Sequence, residues 1–102
     1  MARVLVLYNP PADPAAFDRY YWQTHVPIAK KLPGLRSYVT SAGAIAPMGG
    51  GPAPHLVAEL EFDSVAAVQA AVASPEGQAT TGDLANFAQA GATILVFETR
   101  EA

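Results

Sequence analysis

Within Phe17–Leu35 (FDRYYWQTHVPIAKKLPGL) lie two of the four tyrosines, the only tryptophan and one of the two histidines. Aromatic bulk of this kind carries polar tips that need partners when buried. Valine and leucine would fill a core without that demand, so the stretch reads either as one wall of a ligand pocket or as a costly core. His25 is the residue there that can exchange a proton near neutral pH. A helix C-terminus would raise its pKa, and burial among Phe17, Tyr21 and Trp22 would lower it. Held between those influences it could shuttle protons. It could equally cap the helix, bonding a carbonyl left free by Pro27 two residues later.

The remaining chemistry-bearing residues give weaker signals. His55 follows a Pro-rich loop at the start of a strand and reads as an exposed strand-end residue. Two histidines without HxH or HxxxH spacing, and no cysteine at all, argue against a metal site, a disulfide or a thiol nucleophile. Glu59 and Glu61 share one strand face. In a dimer interior they would be buried acids with raised pKa values; on an edge strand, the preferred reading, they would be solvated charges that discourage aggregation. Gly49-Gly50-Gly51 lacks the Lys-Ser/Thr that comes next in a phosphate loop, and a lid or linker explains it better.

These residues must be positioned by a single domain spanning residues 1–102. Arg3 to Tyr8 is an apolar, β-branched run ended by Asn9-Pro10-Pro11, a strand entering a loop. Asp13-Pro14 supplies an N-cap and a first-turn proline. From there Phe17, Tyr20, Tyr21, Thr24 and His25 recur at spacings of three and four on one helical face. Pro27 denies Val26 the α region, which predicts a helix ending or kinking near His25, then a turn through Ile28–Leu32 and a stop at Pro33-Gly34. Leu35–Gly43 alternates as a second strand. A loop over 44–54 holds three of the nine prolines and three of the eight glycines. His55–Phe62 is a third strand. Asp63-Ser64 caps a helix with Val65, Val68, Ala71 and Val72 as its stripe. Ser74-Pro75 opens a turn or short helix, Asp83–Phe87 suggests one more, and Ala92–Glu98 is the last strand.

The order is β-α-β-β-α-β, an α+β ferredoxin-like arrangement with a four-stranded antiparallel sheet and both helices on one face. In a monomer the other face would be polar. RVLVLY and ATILVF are instead apolar at consecutive positions, and charged residues make up only 15% of the chain against roughly 25% in soluble proteins. Both observations predict a homodimer joined through the sheet faces. The net charge of −3, with no basic cluster beyond Lys30-Lys31, predicts no nucleic-acid or membrane partner. No apolar run approaches a transmembrane length, and Met1-Ala2-Arg3-Val4 lacks the order of a secretory signal. A cytoplasmic location is the expectation.

An early strand, then F-x-x-Y-Y-x-x-x-H-x-P-I and L-P-G-L-x-x-Y, resembles the EthD family, named for a protein of ethyl tert-butyl ether degradation. The matching residues are Phe17, Tyr20, Tyr21, His25, Pro27, Ile28, Leu32, Pro33, Gly34, Leu35 and Tyr38. The resemblance implies the dimeric α+β barrel superfamily, with a pocket between sheet and helices in each protomer. That superfamily includes cofactor-free monooxygenases, muconolactone isomerases, polyketide cyclases or dehydratases, and haem-degrading enzymes. It implies His25 as the catalytic ring nitrogen and Tyr20, Tyr21 and Tyr38 as substrate-binding donors; Phe17 and Trp22 are read as further substrate-binding residues of the aromatic wall, with Trp22, off the helical stripe, able instead to face a partner chain or a loop. Asn9, Trp22 and His25 supply the residue types of a haem-degrading set but not its arrangement along the chain. The implied function is binding or turnover of a small hydrophobic, oxygen-bearing compound in a catabolic or secondary-metabolic pathway. As an enzyme it would work without a cofactor, by isomerisation, dehydration or oxygenation. As a non-catalytic protein it would bind small molecules in the service of an oxygenase. A fully packed imidazole with no adjacent void would make the cluster core and cap instead.

Overall fold

A computed structural model describes residues Met1–Ala102. The elements are β1 (Ala2–Tyr8), α1 (Pro14–Tyr20), a π-helical turn (Tyr21–His25), α2 (Val26–Ala29), β2 (Ser37–Thr40), β3 (Leu56–Phe62), α3 (Val65–Ala73), α4 (Pro75–Phe87) and β4 (Ala92–Glu98). The sheet order is β2-β3-β1-β4 with every neighbouring pair antiparallel. This is the ferredoxin-like α+β arrangement expected from the strand and helix order.

The first helical unit begins as its cap predicts, with the Asp13 carboxylate accepting from the Ala16 N–H at 3.1 Å and Pro14 in the first turn. Its end corrects the expectation. Val26 stays in the right-handed helical region (φ −57°, ψ −46°), and the helix runs on through Pro27 to Ala29. The chain widens into a π turn just before the proline, so the Val26 N–H donates to the Tyr21 carbonyl, five residues back. The wider turn relieves the clash of the pyrrolidine ring with the preceding turn that would otherwise break the helix.

The second helical unit is also longer than its sequence suggests. Pro75–Phe87 forms one continuous helix rather than two short pieces. Ser74 is the hinge between α3 and α4: its hydroxyl donates to the Ala71 carbonyl at 2.5 Å and accepts from the Gly77 N–H at 3.0 Å. Gly77 is obligatory there, because a β-carbon would overlap the backbone carbonyls of Ala71 and Val72.

The core lies between the sheet and the helices. From β3 it takes Leu56, Ala58, Leu60 and Phe62, and from β1 Ala2, Val6 and Tyr8, as the period-two pattern requires. α1 and the π turn add Phe17 and Tyr21, α3 adds Val68 and Ala71, and α4 adds Phe87.

β3 is not an edge strand, which corrects the preferred reading of Glu59 and Glu61. It lies between β2 and β1, and both glutamates stand on the open sheet face opposite the helices. Arg3, at a neighbouring register position on β1, sits 3.9 Å from Glu59 and 3.7 Å from Glu61. Around these charges the same face presents Leu5, Leu7, Val39, Leu95 and Phe97. Within one chain β4 is covered on neither face: Leu95 and Phe97 are exposed on the open side, Ile94 and Val96 on the helix side. No helix is long and apolar enough to cross a membrane.

Candidate active site

The continuous helix through the π turn carries Tyr20, Tyr21 and His25 towards the face of α4 that holds Asp83, Asn86 and Phe87. His25 is 3% exposed, and its Nδ1 lies 2.9 Å from Oδ2 of Asp83. The other carboxylate oxygen accepts from the Tyr20 hydroxyl at 2.5 Å and from the Asn86 side-chain amide at 2.9 Å. Phe87 closes the assembly, its ring 4.6 Å from the imidazole and 5.5 Å from Tyr20.

Burial works to raise the Asp83 pKa, but the hydrogen bonds from Tyr20, Asn86 and His25 outweigh it and hold the carboxyl below its ordinary value. Asp83 is therefore an anion at neutral pH. For His25 burial dominates, lowering its pKa despite the opposing pull of Asp83. A neutral imidazole facing a carboxylate through Nδ1 carries its proton on Nδ1. Nε2 is then an unprotonated acceptor. It has no hydrogen-bond partner, and no fully occluded side-chain nitrogen or oxygen lacks one. Nε2 is therefore not fully occluded, and the His25 side chain borders a cavity. An imidazole oriented by a buried carboxylate, with its second nitrogen unpaired, has the chemistry to accept a proton.

That cavity has a volume of about 110 Å³ and lies between sheet and helices. Its walls are mostly apolar: Leu60 and Phe62 from β3, Val68 from α3, Leu84 from α4 and Ile94 and Val96 from β4. Tyr8, Tyr38 and His25 are among its few polar residues. The Tyr38 hydroxyl, on β2, meets that of Tyr21 at 2.6 Å. Burial raises the pKa of Tyr8, Tyr21 and Tyr38 above the ordinary tyrosine value, so all three keep their protons. They serve as donors, never as bases.

The residues singled out from sequence fall into distinct places. His25 and Tyr38 line the cavity, and Tyr21 stands behind Tyr38 without lining it. Tyr20 faces away from the cavity and holds Asp83. Phe17 is core, packed against Tyr8, Tyr21 and Phe87. Trp22 is 51% exposed and lines outer grooves beside Thr40 and the 42–45 loop. Asn9 is spent on the Ala90 carbonyl at the surface, and so does not join Trp22 and His25. The His55 side chain bonds Asp18 at 2.8 Å and packs edge-on against Phe17, in the outer groove bordered by the 44–54 loop. His25 does not cap a broken helix, because the helix runs through it and its Nδ1 partner is a side chain.

Asp83, Asn86 and Tyr8 are the members of the site that sequence patterns did not single out. Asp83 carried one usable signal: it is the only charged residue between Glu76 and Glu98, with Asn86 three residues on. A lone carboxylate in so long an uncharged stretch needs partners when buried.

Comparison with known proteins places the chain in a lineage. A family model described as the EthD domain matches residues 9–91. An 11.0 kDa protein from the thcB–thcC intergenic region of Rhodococcus erythropolis is 44% identical over 96 residues, covering 93% of this chain and 91% of that protein. The crystal structure of an EthD family protein from Bacillus halodurans superposes with a TM-score of 0.87 at 33% identity, covering 98% of this chain and 99% of that one. SnoaB, a cofactor-independent oxygenase from Streptomyces nogalater, shares the fold with a TM-score of 0.67 at 15% identity, covering 99% and 94%. With a continuous family match over most of its length, the chain belongs to the EthD family.

Proposed function

We propose that this EthD family protein binds a small, largely apolar, oxygen-bearing compound in the cavity between sheet and helices and moves a proton on it without a cofactor. One observation carries the reading: a buried imidazole, oriented by the Asp83 carboxylate at 2.9 Å and with its other nitrogen unpaired, borders an apolar cavity. His25 is the general base, Asp83 fixes its tautomer, and a tyrosine hydroxyl polarises the substrate oxygen. Isomerisation, dehydration and oxygenation of an activated substrate all begin with such a proton abstraction. The likeness of fold to a cofactor-independent oxygenase is in keeping with this chemistry.

The reading includes a homodimer. The open sheet face gathers Leu5, Leu7, Leu95 and Phe97, and β4 needs cover on that side. A second copy of the same face supplies it.

A different observation favours a binding protein that serves an oxygenase system. The bonds of Asp83 to Tyr20 and His25 tie α4 to the first helical unit, a structural task that needs no turnover. The two readings separate when a panel of small ketones, lactones and phenols is tried with wild-type protein and with His25→Gln. Turnover lost in the variant, with the fold intact, supports the enzyme. Unchanged turnover in the variant refutes His25 as the base. Tight binding without turnover, insensitive to the variant and to pH between about 5 and 8, supports the carrier.

A further inference from the structure

The three tyrosine hydroxyls beside the cavity cannot all satisfy one another. Each carries a single proton. Tyr21 is 0% exposed and its hydroxyl shares one hydrogen bond with Tyr38 at 2.6 Å, in which either oxygen can be the donor. Tyr8 packs its ring edge-on against Tyr21, with centroids 5.6 Å apart, and its hydroxyl neighbours that of Tyr21. The Tyr21–Tyr38 bond is the one hydrogen bond among the three hydroxyls, and that of Tyr8 closes no ring with them. The Tyr8 hydroxyl is not fully occluded and reaches the cavity that Tyr8 lines.

Two arrangements of the protons are possible. When Tyr21 donates to Tyr38, the Tyr38 proton is left facing the cavity, even where Tyr8 turns its own towards Tyr21. When Tyr38 donates to Tyr21, the Tyr21 proton turns to its neighbour Tyr8, and the Tyr8 proton is left over. Either way the cavity wall holds at least one O–H for which the protein provides no acceptor. An O–H facing an apolar cavity without a protein acceptor leaves the site poised for an acceptor brought from outside.

We infer that the cavity selects small, uncharged carbonyl compounds, the oxygen taking the surplus proton of the Tyr8–Tyr21–Tyr38 cluster as a hydrogen bond. The lining of the site sets the specificity. No lysine or arginine borders it, and the anionic Asp83 lies just behind His25, so a carboxylate ligand has no counter-charge. A hydrocarbon would leave the tyrosine proton unmatched. The chemical step after binding rests on the general-base reading proposed for His25. Its Nε2 takes the α-hydrogen as a proton, the C–H pair becomes the carbon–carbon double bond of the enolate, and the carbonyl π pair moves onto the oxygen held by the tyrosine O–H. Return of the proton to carbon completes an exchange or isomerisation and consumes nothing else. His25, Tyr8 and Tyr38 all line the one cavity of about 110 Å³, so donor and base fall within the span of one small molecule.

The test compares cyclohexanone with methylenecyclohexane, the same shape without the oxygen, by NMR titration of the full-length protein. The ketone is expected to bind about tenfold more tightly, the equivalent of one net hydrogen bond. In the Tyr8→Phe/Tyr38→Phe double variant that preference should fall to about twofold or less with the hydrocarbon's affinity unchanged. Tyr8→Phe and Tyr38→Phe singly should each retain part of it, which keeps the test available if the double variant does not fold. Equal affinities in the wild type, a preference that survives both substitutions, or binding of neither compound would each overturn the inference. Exchange of the ketone's α-hydrogens in D₂O is read in the same samples. A ketone preference without exchange upholds the inference while refuting His25 as the base.

Discussion

The imidazole of His25 and the carboxylate of Asp83, 58 residues apart in sequence, meet through a single 2.9 Å hydrogen bond between two helices. The bond sets which ring nitrogen carries the proton. Replacing Asp83 with Asn puts an amide N–H or a weaker acceptor at that position while the Tyr20 and Asn86 contacts can be partly kept. The imidazole is then free to move its proton to Nε2, and its function as a base should fall by at least about 100-fold. Nitrogen-15 shifts of the ring would show the tautomer change directly. Asp83→Ala leaves His25, Tyr20 and Asn86 without their acceptor and should cost about 2–3 kcal/mol in urea unfolding.

Acid should weaken the fold in two stages. The His25 pKa in the folded protein is below the ordinary 6.5, so as pH falls the unfolded chain takes that proton first. Its contribution is intact above pH 6.5 and is lost as the pH drops through the lower folded value. Asp83 has the same sign: intact above 3.8, lost as the pH falls through its depressed folded value. Urea midpoints measured across this range should decline first below neutrality and again in acid. The upper stage should vanish in His25→Gln.

Gly77→Ala tests the contact between α3 and α4. The added methyl would occupy the space of the Ala71 and Val72 carbonyls, and Gly77 also borders the cavity. The hinge would have to open, at a cost of at least about 2 kcal/mol. Gly82→Ala, with nothing near its added methyl, is the control and should be neutral or slightly stabilising. Denaturant unfolding of the two variants decides the point.

Phe97→Glu places a charge in the apolar open face of the sheet, where one chain alone leaves Phe97 exposed. A monomer would tolerate it within about 0.5 kcal/mol. A sheet-to-sheet dimer would come apart, because a buried unpaired charge is far costlier. Sedimentation equilibrium of wild type and variant distinguishes the two, and a wild-type monomer would refute the dimer.

The succession of elements along the chain, the caps and the inward face of β3 could be read from the chain because period and punctuation are local properties. The length of α4 could not: Ser74-Pro75 reads as the start of a turn or short helix and Asp83–Phe87 as a separate one, whereas Ser74 ends one helix and caps another that runs unbroken to Phe87. His25 stood out through its type, and Tyr38 through the family resemblance. Asp83 did not, since its importance comes from partners on another element, and pairing across 58 residues leaves no mark on spacing. The edge reading of Glu59 and Glu61 went astray for the same reason. Strand position within a sheet is a matter of topology, and alternation looks alike at the edge and in the middle.

The π turn at Tyr21–His25 is equivalent to one residue inserted into an ordinary helix. Removing one residue, Gln23 for example, would restore the regular repeat and leave the tyrosine and the histidine four positions apart, a spacing that still sets both on one helical face. In the wider π turn a separation of five does the same. The geometry of the site is thus written in a residue count matched to the local pitch rather than in a residue type. Comparing chains of this kind by which side chains they keep would miss it, whereas counting the residues between the tyrosine pair and the histidine would not.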